Sequence, residues 1–297
     1  MAAALDPVKA APPFQIFPAS RFTIEQLTAA YNQTRVDYLV PMPMNAARLA
    51  EYIDVYDVDL ERSVVAVMGD QIQGLGMLGV RSRRTWITRM GVLPVERRHG
   101  VGLGLAQALL AASAEVGATQ TTLEVIQNNL PAYNLFMRLN FQPVRELVVL
   151  RRPPGQPALQ PMGTVRPLTL AEILTRLEAR PGPLSWIAET ASLARAENLS
   201  GLALALPDGG QGWLVFQEQK RKHFALNLSR VYVHTEQGDP VRVARALLTH
   251  LYQVYPDLDT HTENVPADDP HLPAFFEMGY VESFRRIEMH RLHPALT

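Results

Sequence analysis

The stretch from residue 85 to residue 141 most constrains how this chain can fold. An apolar strand is predicted at residues 85–92, and it ends before Pro94. The basic, glycine-rich segment at residues 97–102 (RRHGVG) follows and leads directly into an apolar helix predicted at residues 103–116. This order of strand, turn and helix predicts a domain that mixes α and β structure.

The turn between this strand and helix has the chemistry of an anion-binding site. The first amides of a helix have no partner inside the helix, and the helix dipole adds partial positive charge there. Gly100 and Gly102 remove side chains that would keep a phosphate away. Arg97 and Arg98 supply cations suited to a pyrophosphate. The sequence therefore predicts a phosphate-binding turn at the start of the helix.

The same turn carries a family resemblance. Arg97-x-x-Gly100-x-Gly102, after a strand ending in MGVLP, resembles the acetyl-CoA loop of the GNAT N-acetyltransferase superfamily. A second motif in the right order is similar to that family's next strand, helix and closing turn. It consists of LEV at 123–125, Asn129, Ala132, Phe136 and LNF at 139–141. The resemblance covers residues 22–151 and implies acetyl-CoA as the co-substrate.

The resemblance implies which residues contact the cofactor. In that family the strand before the turn splays from its neighbour, and the pantetheine arm inserts between them and bonds to the backbone. The end of the strand would then also supply a backbone amide for the oxyanion. The implied cofactor-binding residues are Met90, Gly91, Val92, Arg97, Arg98, His99, Gly100, Val101, Gly102, Leu103, Asn129 and Phe136.

The implied reaction is direct attack of an amine on a thioester, which needs a general base and a route for a proton to the sulfur. Glu124, in the strand that borders the gap, is the predicted base, with an exposed strand position as its alternative. The sequence departs from the family at Phe136, where a tyrosine often acts as the acid. Tyr133 lies one helical turn earlier and is the predicted substitute, with a structural tyrosine as the alternative.

The composition excludes several kinds of site and binding partner. The chain has 297 residues, no cysteine and a net charge of −1. The absence of cysteine excludes disulfides, thiolate metal sites and a covalent thiol mechanism. The small net charge argues against broad binding of nucleic acid or anionic membranes. No leader and no apolar stretch of about 18 residues is seen. A cytoplasmic protein with no metal site is expected.

The second half is predicted to repeat the first in degenerate form. The sequence FFEMGY at residues 275–280 echoes FMRLNF at residues 136–141, which aligns GDP at 238–240 with the first turn. Asp239 would oppose a phosphate there, and Pro240 removes an amide donor. The predicted fold is α+β, with two GNAT-like domains, each a mixed, mostly antiparallel sheet flanked by helices. The predicted boundaries are an acetyltransferase domain at 1–152, a proline-rich linker at 153–164 and a degenerate domain at 165–297.

Shorter patterns predict the other elements. The first twenty residues are expected to be a loose lead-in, and the sequence HTENVPADDP at 261–270 a plain loop rather than a metal site. Thr23 and Gln26 fit a capping box, and Asn45 fits a helix cap. Helices are predicted at 22–31, 44–52, 170–178 and 240–254, and strands at 64–68, 72–80, 202–206, 212–217 and 223–233.

Three functions compete at this point. The first is an N-acetyltransferase that acts on a small-molecule or peptide amine, with a homodimer as a possible assembly. The second is a dinucleotide-binding oxidoreductase, because Gly100-x-Gly102-x-Gly104 with Glu124 about twenty residues on imitates that fingerprint. The third is a non-catalytic acyl-CoA sensor or scaffold, which Phe136 and the degenerate second half keep open.

Overall fold

The computed structural model describes residues 14–221 and 224–294. The α-helices are α1 (Ile24–Gln33), α2 (Ala46–Val55), α3 (Val101–Glu115), α4 (Leu130–Arg138), α5 (Leu170–Glu178), α6 (Thr190–Ala194), α7 (Pro240–Val254) and α8 (Leu272–Glu277). The strands are β1 (Gln15–Pro18), β2 (Val64–Met68), β3 (Gln71–Arg81), β4 (Arg84–Val92), β5 (Gln120–Ile126), β6 (Gln142–Arg152), β7 (Thr164–Pro167), β8 (Leu199–Ala205), β9 (Gln211–Arg221), β10 (Phe224–Gln237), β11 (Asp259–Pro266) and β12 (Val281–Leu292).

The described chain packs as two compact units. Unit 1 contains residues up to 123 together with the residues from 291 onward, and unit 2 contains residues 124–290. The strands β5 and β12 each cross this division. The predicted domain boundaries at 152 and 164 follow the sequence repeat rather than this packing, and they stay a prediction.

Unit 1 is built on a mostly antiparallel sheet. Its strand order is β1-β2-β3-β4-β5, and only the β4–β5 pair is parallel. A parallel pair needs a crossover connection, which α3 supplies between β4 and β5. The strand–turn–helix unit predicted from the sequence is therefore the crossover at the end of this sheet.

Two glycines in β3 let α3 approach the sheet closely. A Cβ on Gly74 would lie 3.1 Å from Leu105 Cδ1, and one on Gly76 would lie 2.8 Å from Leu109 Cδ1. Both leucines are completely buried. Because the side chains of a strand alternate between faces, this glycine spacing places both close contacts on one face of the sheet. The packing fixes the helix against the strand that precedes it.

Unit 2 has the same kind of sheet with a second set of strands. Its strand order is β12-β6-β11-β10-β9-β8-β7, with β10 and β11 parallel and the other pairs antiparallel. The helix α7 connects the parallel pair, as α3 does in unit 1. Its buried face, which includes Leu247, Leu251 and Tyr252, joins the main core of unit 2.

Most of the predicted local structure of the first half is confirmed. The capping box of Thr23 and Gln26 is present, and the Asn45 side chain accepts a hydrogen bond from the Arg48 amide. The helix predicted at 103–116 begins two residues earlier, at Val101, which makes Gly100 its N-cap. The predicted linker contains no helix or strand at 153–163.

Three expectations need correction or restriction. Residues 15–18 of the expected loose lead-in form β1, whose backbone pairs with β2, while residues 1–13 lie outside the described part of the chain. The expected loop at 261–270 was wrong for residues 261–266, which belong to β11 and pair with β6. The predicted strand 223–233 is confirmed from residue 224, where β10 begins, since residue 223 is not described.

The predicted echo between the two halves has a physical counterpart. The rings of Phe136 and Phe141 pack edge to face with centroids 5.5 Å apart, and those of Phe275 and Tyr280 do the same at 4.9 Å. In both hexamers the amide of the last residue donates to the carbonyl of the first, at 3.1 Å. Both turns also contain a left-handed residue just before the second aromatic. The two sequences therefore form the same helix-ending turn.

Candidate functional site

The strand β4 extends beyond the part of it that pairs with β5. The described ladder between these strands runs from Arg84–Gln120 to Ile87–Leu123, whereas β4 continues to Val92. On its other side β4 stays paired with β3 as far as Val92. Part of its backbone beyond Ile87 therefore lies outside the β4–β5 ladder.

A β-bulge interrupts β4 just after the last β5 pair. The register against β3 shifts between Leu75 and Met77, and Arg89 has a φ of +51°. A non-glycine residue in the left-handed region costs about 1 kcal/mol or more, and such outliers cluster at functional sites. Bulges re-aim the side chains around them. This one changes the direction of β4 immediately before Met90, Gly91 and Val92.

The segment from Arg97 to Gly102, called here the α3 turn, has an unusual backbone. Arg98 and Gly100 both have positive φ values, +68° and +87°. Within the described chain, no hydrogen bond is found from the amides of Val101, Gly102 and Leu103, and the first helical bond joins the Gly104 amide to the Gly100 carbonyl. Left-handed residues beside a helix start gather amide groups into an anion-binding concavity. The α3 turn therefore presents free amides at the positive end of a 15-residue helix.

Glycine is required in this turn for its backbone and for its lack of a side chain. A Cβ on Gly100 would meet no atom within 4 Å, so the space above it is open. The N-cap makes no side-chain hydrogen bond, because glycine has no side-chain acceptor. Gly104 differs, since a Cβ there would lie 2.9 Å from the ring of Phe14. The third glycine of the dinucleotide-like pattern is thus explained by packing.

Arg97, predicted to bind a pyrophosphate, is engaged within unit 1. Its guanidinium forms two hydrogen bonds of 2.7 Å with the Asp37 carboxylate, and it also donates to the backbone carbonyls of Thr34 and Val92. The hydrogen bond from Arg97 lowers the pKa of Asp37. Arg97 thereby ties the segment after α1 to the end of β4, and its predicted role toward phosphate stays a prediction.

The other polar residues of the α3 turn are exposed. Arg98 and His99 both lie on the surface, and the His99 Nδ1 atom is 3.8 Å from a Glu96 carboxylate oxygen. Val101 is buried, while Leu103 is 41% exposed. Arg98 is therefore the exposed cation of this turn that is found in no ion pair within the described residues.

The carbonyl groups at the end of β4 already have partners. The Met90 carbonyl accepts a hydrogen bond of 3.1 Å from Arg35, and the Val92 carbonyl accepts one of 3.3 Å from Arg97. A Cβ on Gly91 would lie 2.4 Å from Thr34 Oγ1, so only glycine fits there. The segment that follows α1 therefore packs directly on the three residues predicted to contact the cofactor.

Glu124, the predicted base, belongs to unit 2 and lies half-buried on β5. Its carboxylate accepts a hydrogen bond of 3.2 Å from the side-chain amide of Asn264. Asn264 is buried and in turn accepts one of 2.6 Å from Arg286, which also pairs with Glu263 at 2.7 Å. This network fixes the orientation of the Glu124 side chain.

The other predicted site residues of unit 2 lie on or beside α4. Asn129 is the N-cap, and its side chain accepts a hydrogen bond of 3.3 Å from the Ala132 amide. Tyr133 is half-buried. Phe136 is 5% exposed and packs against Phe141. Helix capping accounts for Asn129 and core packing for Phe136, and their predicted contacts with a cofactor stay predictions.

Two arginines that the sequence analysis did not single out lie beside β4. Arg35 follows the C-cap of α1, and Arg89 occupies the bulge. Both contact the aromatic ring of Tyr31, whose centroid is 4.0 Å from Arg35 Cζ and 5.6 Å from Arg89 Cζ. A charged residue inside an otherwise apolar strand was the available signal for Arg89. Nothing in the local sequence marks Arg35.

The corresponding turn of unit 2, residues 237–240, is called the α7 turn, and it is closed. Gly238 has a φ of +95°, but Asp239 caps α7 and its side chain accepts a hydrogen bond of 2.7 Å from the Arg242 amide. Pro240 is the first helical residue and has no amide hydrogen. The expectation that Asp239 and Pro240 replace the phosphate-binding features of the first turn agrees with this geometry.

Across the described ranges, no group of three or more His, Asp or Glu side chains is arranged to hold a metal ion. The described helices include none that is both long enough and apolar enough to cross a membrane.

Comparison with known proteins identifies the fold. Residues 27–141 match the family model described as the acetyltransferase (GNAT) family. Comparison with curated proteins found no match. The match lies inside the region of the predicted resemblance, and that prediction is confirmed.

Several solved structures resemble the whole chain. A GCN5-related N-acetyltransferase from Sphaerobacter thermophilus is 14% identical with a TM-score of 0.70, covering 97% of this chain and 98% of that one. A tandem GNAT protein from the clavulanic acid biosynthesis pathway is 13% identical with a TM-score of 0.63, covering 95% and 99%. A GCN5-related N-acetyltransferase from Anabaena variabilis is 15% identical with a TM-score of 0.57, covering 94% and 72%. These likenesses show the fold, and they confirm the predicted α+β class with two GNAT-like parts.

Proposed function

Because residues 27–141 match the acetyltransferase (GNAT) family model, we propose that this protein is an acetyl-CoA-dependent N-acetyltransferase. In this proposal the acetyl group moves to an amine by direct attack within a ternary complex. The observation that carries it is the α3 turn, which combines open amides, two left-handed residues and an exposed arginine. This combination suits the diphosphate of coenzyme A.

The fit of acetyl-CoA rests on features of unit 1. The space above Gly100 is open, so an oxyanion can approach the amides of Val101, Gly102 and Leu103. Arg98 and His99 are exposed beside them and would contact the same phosphates. The end of β4 at Met90, Gly91 and Val92 would hold the pantetheine and the thioester through its backbone. Acetyl-CoA supplies the activated acyl group, and the chain supplies orientation and proton transfer.

The proposed chemistry assigns a role to each of three groups. Glu124 would take the proton from the attacking amine, and its hydrogen bond from Asn264 holds the carboxylate in one orientation. A backbone amide of β4 would stabilise the developing oxyanion. Tyr133 would return a proton to the leaving thiolate. Because a thiol has a reference pKa of about 8.5, the thiolate is a weak base and this last step needs little help.

A non-catalytic acyl-CoA binder is the second candidate, and Phe136 is the observation that favours it. This side chain has no proton to give and is buried against Phe141. The oxidoreductase alternative has less support. Gly104 is explained by its contact with Phe14, and the turn follows antiparallel strands instead of a run of βαβ units.

Two measurements on the full chain test the proposal. Thermal unfolding with acetyl-CoA and with NAD(P) distinguishes the two cofactor classes, and we expect stabilisation by acetyl-CoA alone. Release of free CoA is then measured with a panel of small and peptide amines. A stabilised protein that releases no CoA with any amine would support the binder instead. The predicted cytoplasmic location and possible homodimer stay predictions beside this proposal.

A further inference from the structure

The segment after α1 brings an arginine against the backbone of β4. The Arg35 guanidinium donates one hydrogen bond of 3.1 Å to the Met90 carbonyl and another of 3.0 Å to Thr34 Oγ1. A Cβ on Gly91 would lie 2.9 Å from one of its nitrogens. Glycine at position 91 therefore lets this guanidinium lie on the strand. A guanidinium has five N–H donors, so two hydrogen bonds leave capacity for a ligand.

The surroundings of Arg35 are aromatic rather than acidic. Its Cζ atom is 4.0 Å from the centroid of the Tyr31 ring and 5.4 Å from that of Tyr38. Burial lowers the pKa of Arg35, and in the described chain the groups that act on it are tyrosines and Arg89, with no carboxylate among them. Aromatic faces stabilise a cation without neutralising its charge.

A second cation lies close to the first. Arg89 donates a hydrogen bond of 3.1 Å to the Tyr31 hydroxyl, and its Cζ atom is 4.2 Å from the centroid of the Tyr52 ring. The charge of Arg89 also contributes to the lowered pKa of Arg35. Two half-buried charges of the same sign disfavour each other. A bound anion would offset that repulsion.

We infer that the acceptor amine carries an oxyanion, a carboxylate or a phosphate, which Arg35 binds with Arg89 as the neighbouring positive charge. This inference rests on the proposed function, because it takes the end of β4 as the place of the thioester. An anion held by Arg35 lies beside Met90 and Gly91, so the amine of the same molecule is held near that backbone. The guanidinium fork suits either oxyanion.

The second unit offers a matched control. Arg180 follows the C-cap of α5, as Arg35 follows the C-cap of α1. Burial lowers the pKa of Arg180 as well, but its guanidinium donates to the backbone carbonyls of Leu177 and Ala188. Arg180 therefore stabilises its own loop. Its substitution measures the general effect of removing a half-buried arginine that follows a helix.

The first experiment needs no variant. Release of CoA from acetyl-CoA is measured for a panel of amino acids, each paired with its carboxamide, for O-phosphoethanolamine against ethanolamine, and for putrescine. We expect the anionic member of the best pair to exceed its neutral twin at least tenfold in kcat/KM. The carboxylate and phosphate pairs identify which oxyanion is preferred.

Substitutions then test whether Arg35 is responsible for the preference for an anionic acceptor. We expect Arg35→Gln to lower kcat/KM for the anionic acceptor about tenfold or more, mainly through KM, and to change the neutral twin less than threefold. Arg35→Lys should recover part of the lost kcat/KM. Arg180→Gln should leave kcat/KM unchanged for both the anionic and the neutral acceptor. Equal rates for anionic and neutral twins, or a preference for putrescine, would overturn the inference and leave the transferase proposal intact. Absence of CoA release with every amine would overturn both.

Discussion

The starts of α3 and α7 occupy the same place in two copies of one fold, and they differ at the N-cap and at the first helical residue. Each follows a bulged strand and carries a left-handed glycine, Gly100 in one and Gly238 in the other. In the α3 turn the glycine is itself the N-cap and leaves the helix amides open. In the α7 turn Asp239 takes the cap position and Pro240 the first helical position. One copy therefore leaves the amides at its positive helix end open, and in the other a side chain caps them.

The two bulges differ in a related way. Arg89 and Arg230 both have φ values near +50°, at +51° and +53°. Two residues later the first copy has Gly91 and the second has Tyr232. The missing side chain at Gly91 leaves room for Thr34 and Arg35 to pack on the strand backbone. The shared fold therefore supplies the turn and the bulge, while single side chains determine whether the helix amides stay open and what packs on the strand.

The largest expected effect comes from closing the α3 turn. Gly100→Asp places a carboxylate and a strained left-handed residue where phosphate would lie, so we expect the thermal shift with acetyl-CoA to disappear. Gly182→Asp is the control, because Gly182 also has a positive φ, +79°, and open space around it. Binding retained in Gly100→Asp would show that the cofactor uses another part of the chain.

The next effect concerns Glu124 and separates chemistry from binding. A general base contributes about 10²–10⁴-fold in rate. We expect Glu124→Gln to lower kcat by about 100-fold while the thermal shift with acetyl-CoA stays as in the wild type. Both quantities come from the same preparation, by CoA release and by thermal unfolding. Unchanged turnover would remove Glu124 from the mechanism.

Removing the Asp239 cap from the α7 turn should lower the free energy of unfolding without creating an acetyl-CoA site. Asp239→Ala removes a helix cap, which typically costs about 1 kcal/mol. Urea unfolding measures the loss. The acetyl-CoA shift should not change, because Pro240 still lacks an amide hydrogen. A second acetyl-CoA equivalent bound by Asp239→Ala, measured by titration calorimetry, would show that the cap alone separates the two turns.

The smallest effect is expected at Asp37. Arg97 lowers the pKa of this carboxylate, so the pair stabilises the folded state above the ordinary aspartate pKa of 3.8 and loses that effect as the pH falls through the lower folded value. Because the pair is exposed, Asp37→Asn should lower Tm only slightly at pH 7. The difference from the wild type should shrink as the pH falls below 3.8. A difference that grows on acidification would contradict this.

The α3 turn could be located from the sequence, but the residues that pack around it could not. Gly100 and the apolar helix after it are local signals, and they predicted open amides at the helix start, although the helix begins two residues earlier than predicted. The engagement of Arg97 by Asp37 depends on residues sixty positions apart in the chain, which no local pattern reports. Arg35 has the same difficulty, since its partner Met90 lies in a different element.

The errors in the fold have a similar cause. The residues of β1 were predicted to be part of a loose lead-in because QIFP is short and follows a proline-rich segment. Only the pairing with β2 makes them a strand. The segment HTENVP has the composition of a polar loop, yet in β11 its Thr262 is completely buried, as is Thr260 just before the segment. Tertiary pairing overrides weak strand propensity in both cases.

The return of residues 291–294 to unit 1 has a consequence for how the protein is made. His293 contacts Thr121 through its ring at 2.6 Å and Thr119 through its amide at 2.9 Å, and both partners are encoded more than 170 positions earlier. A ribosome must therefore translate all of unit 2 before the first unit can gain these contacts. A gene cut after residue 152 would deliver β6 without β11 and β12, the strands on either side of it, so the two halves should be expressed as one polypeptide.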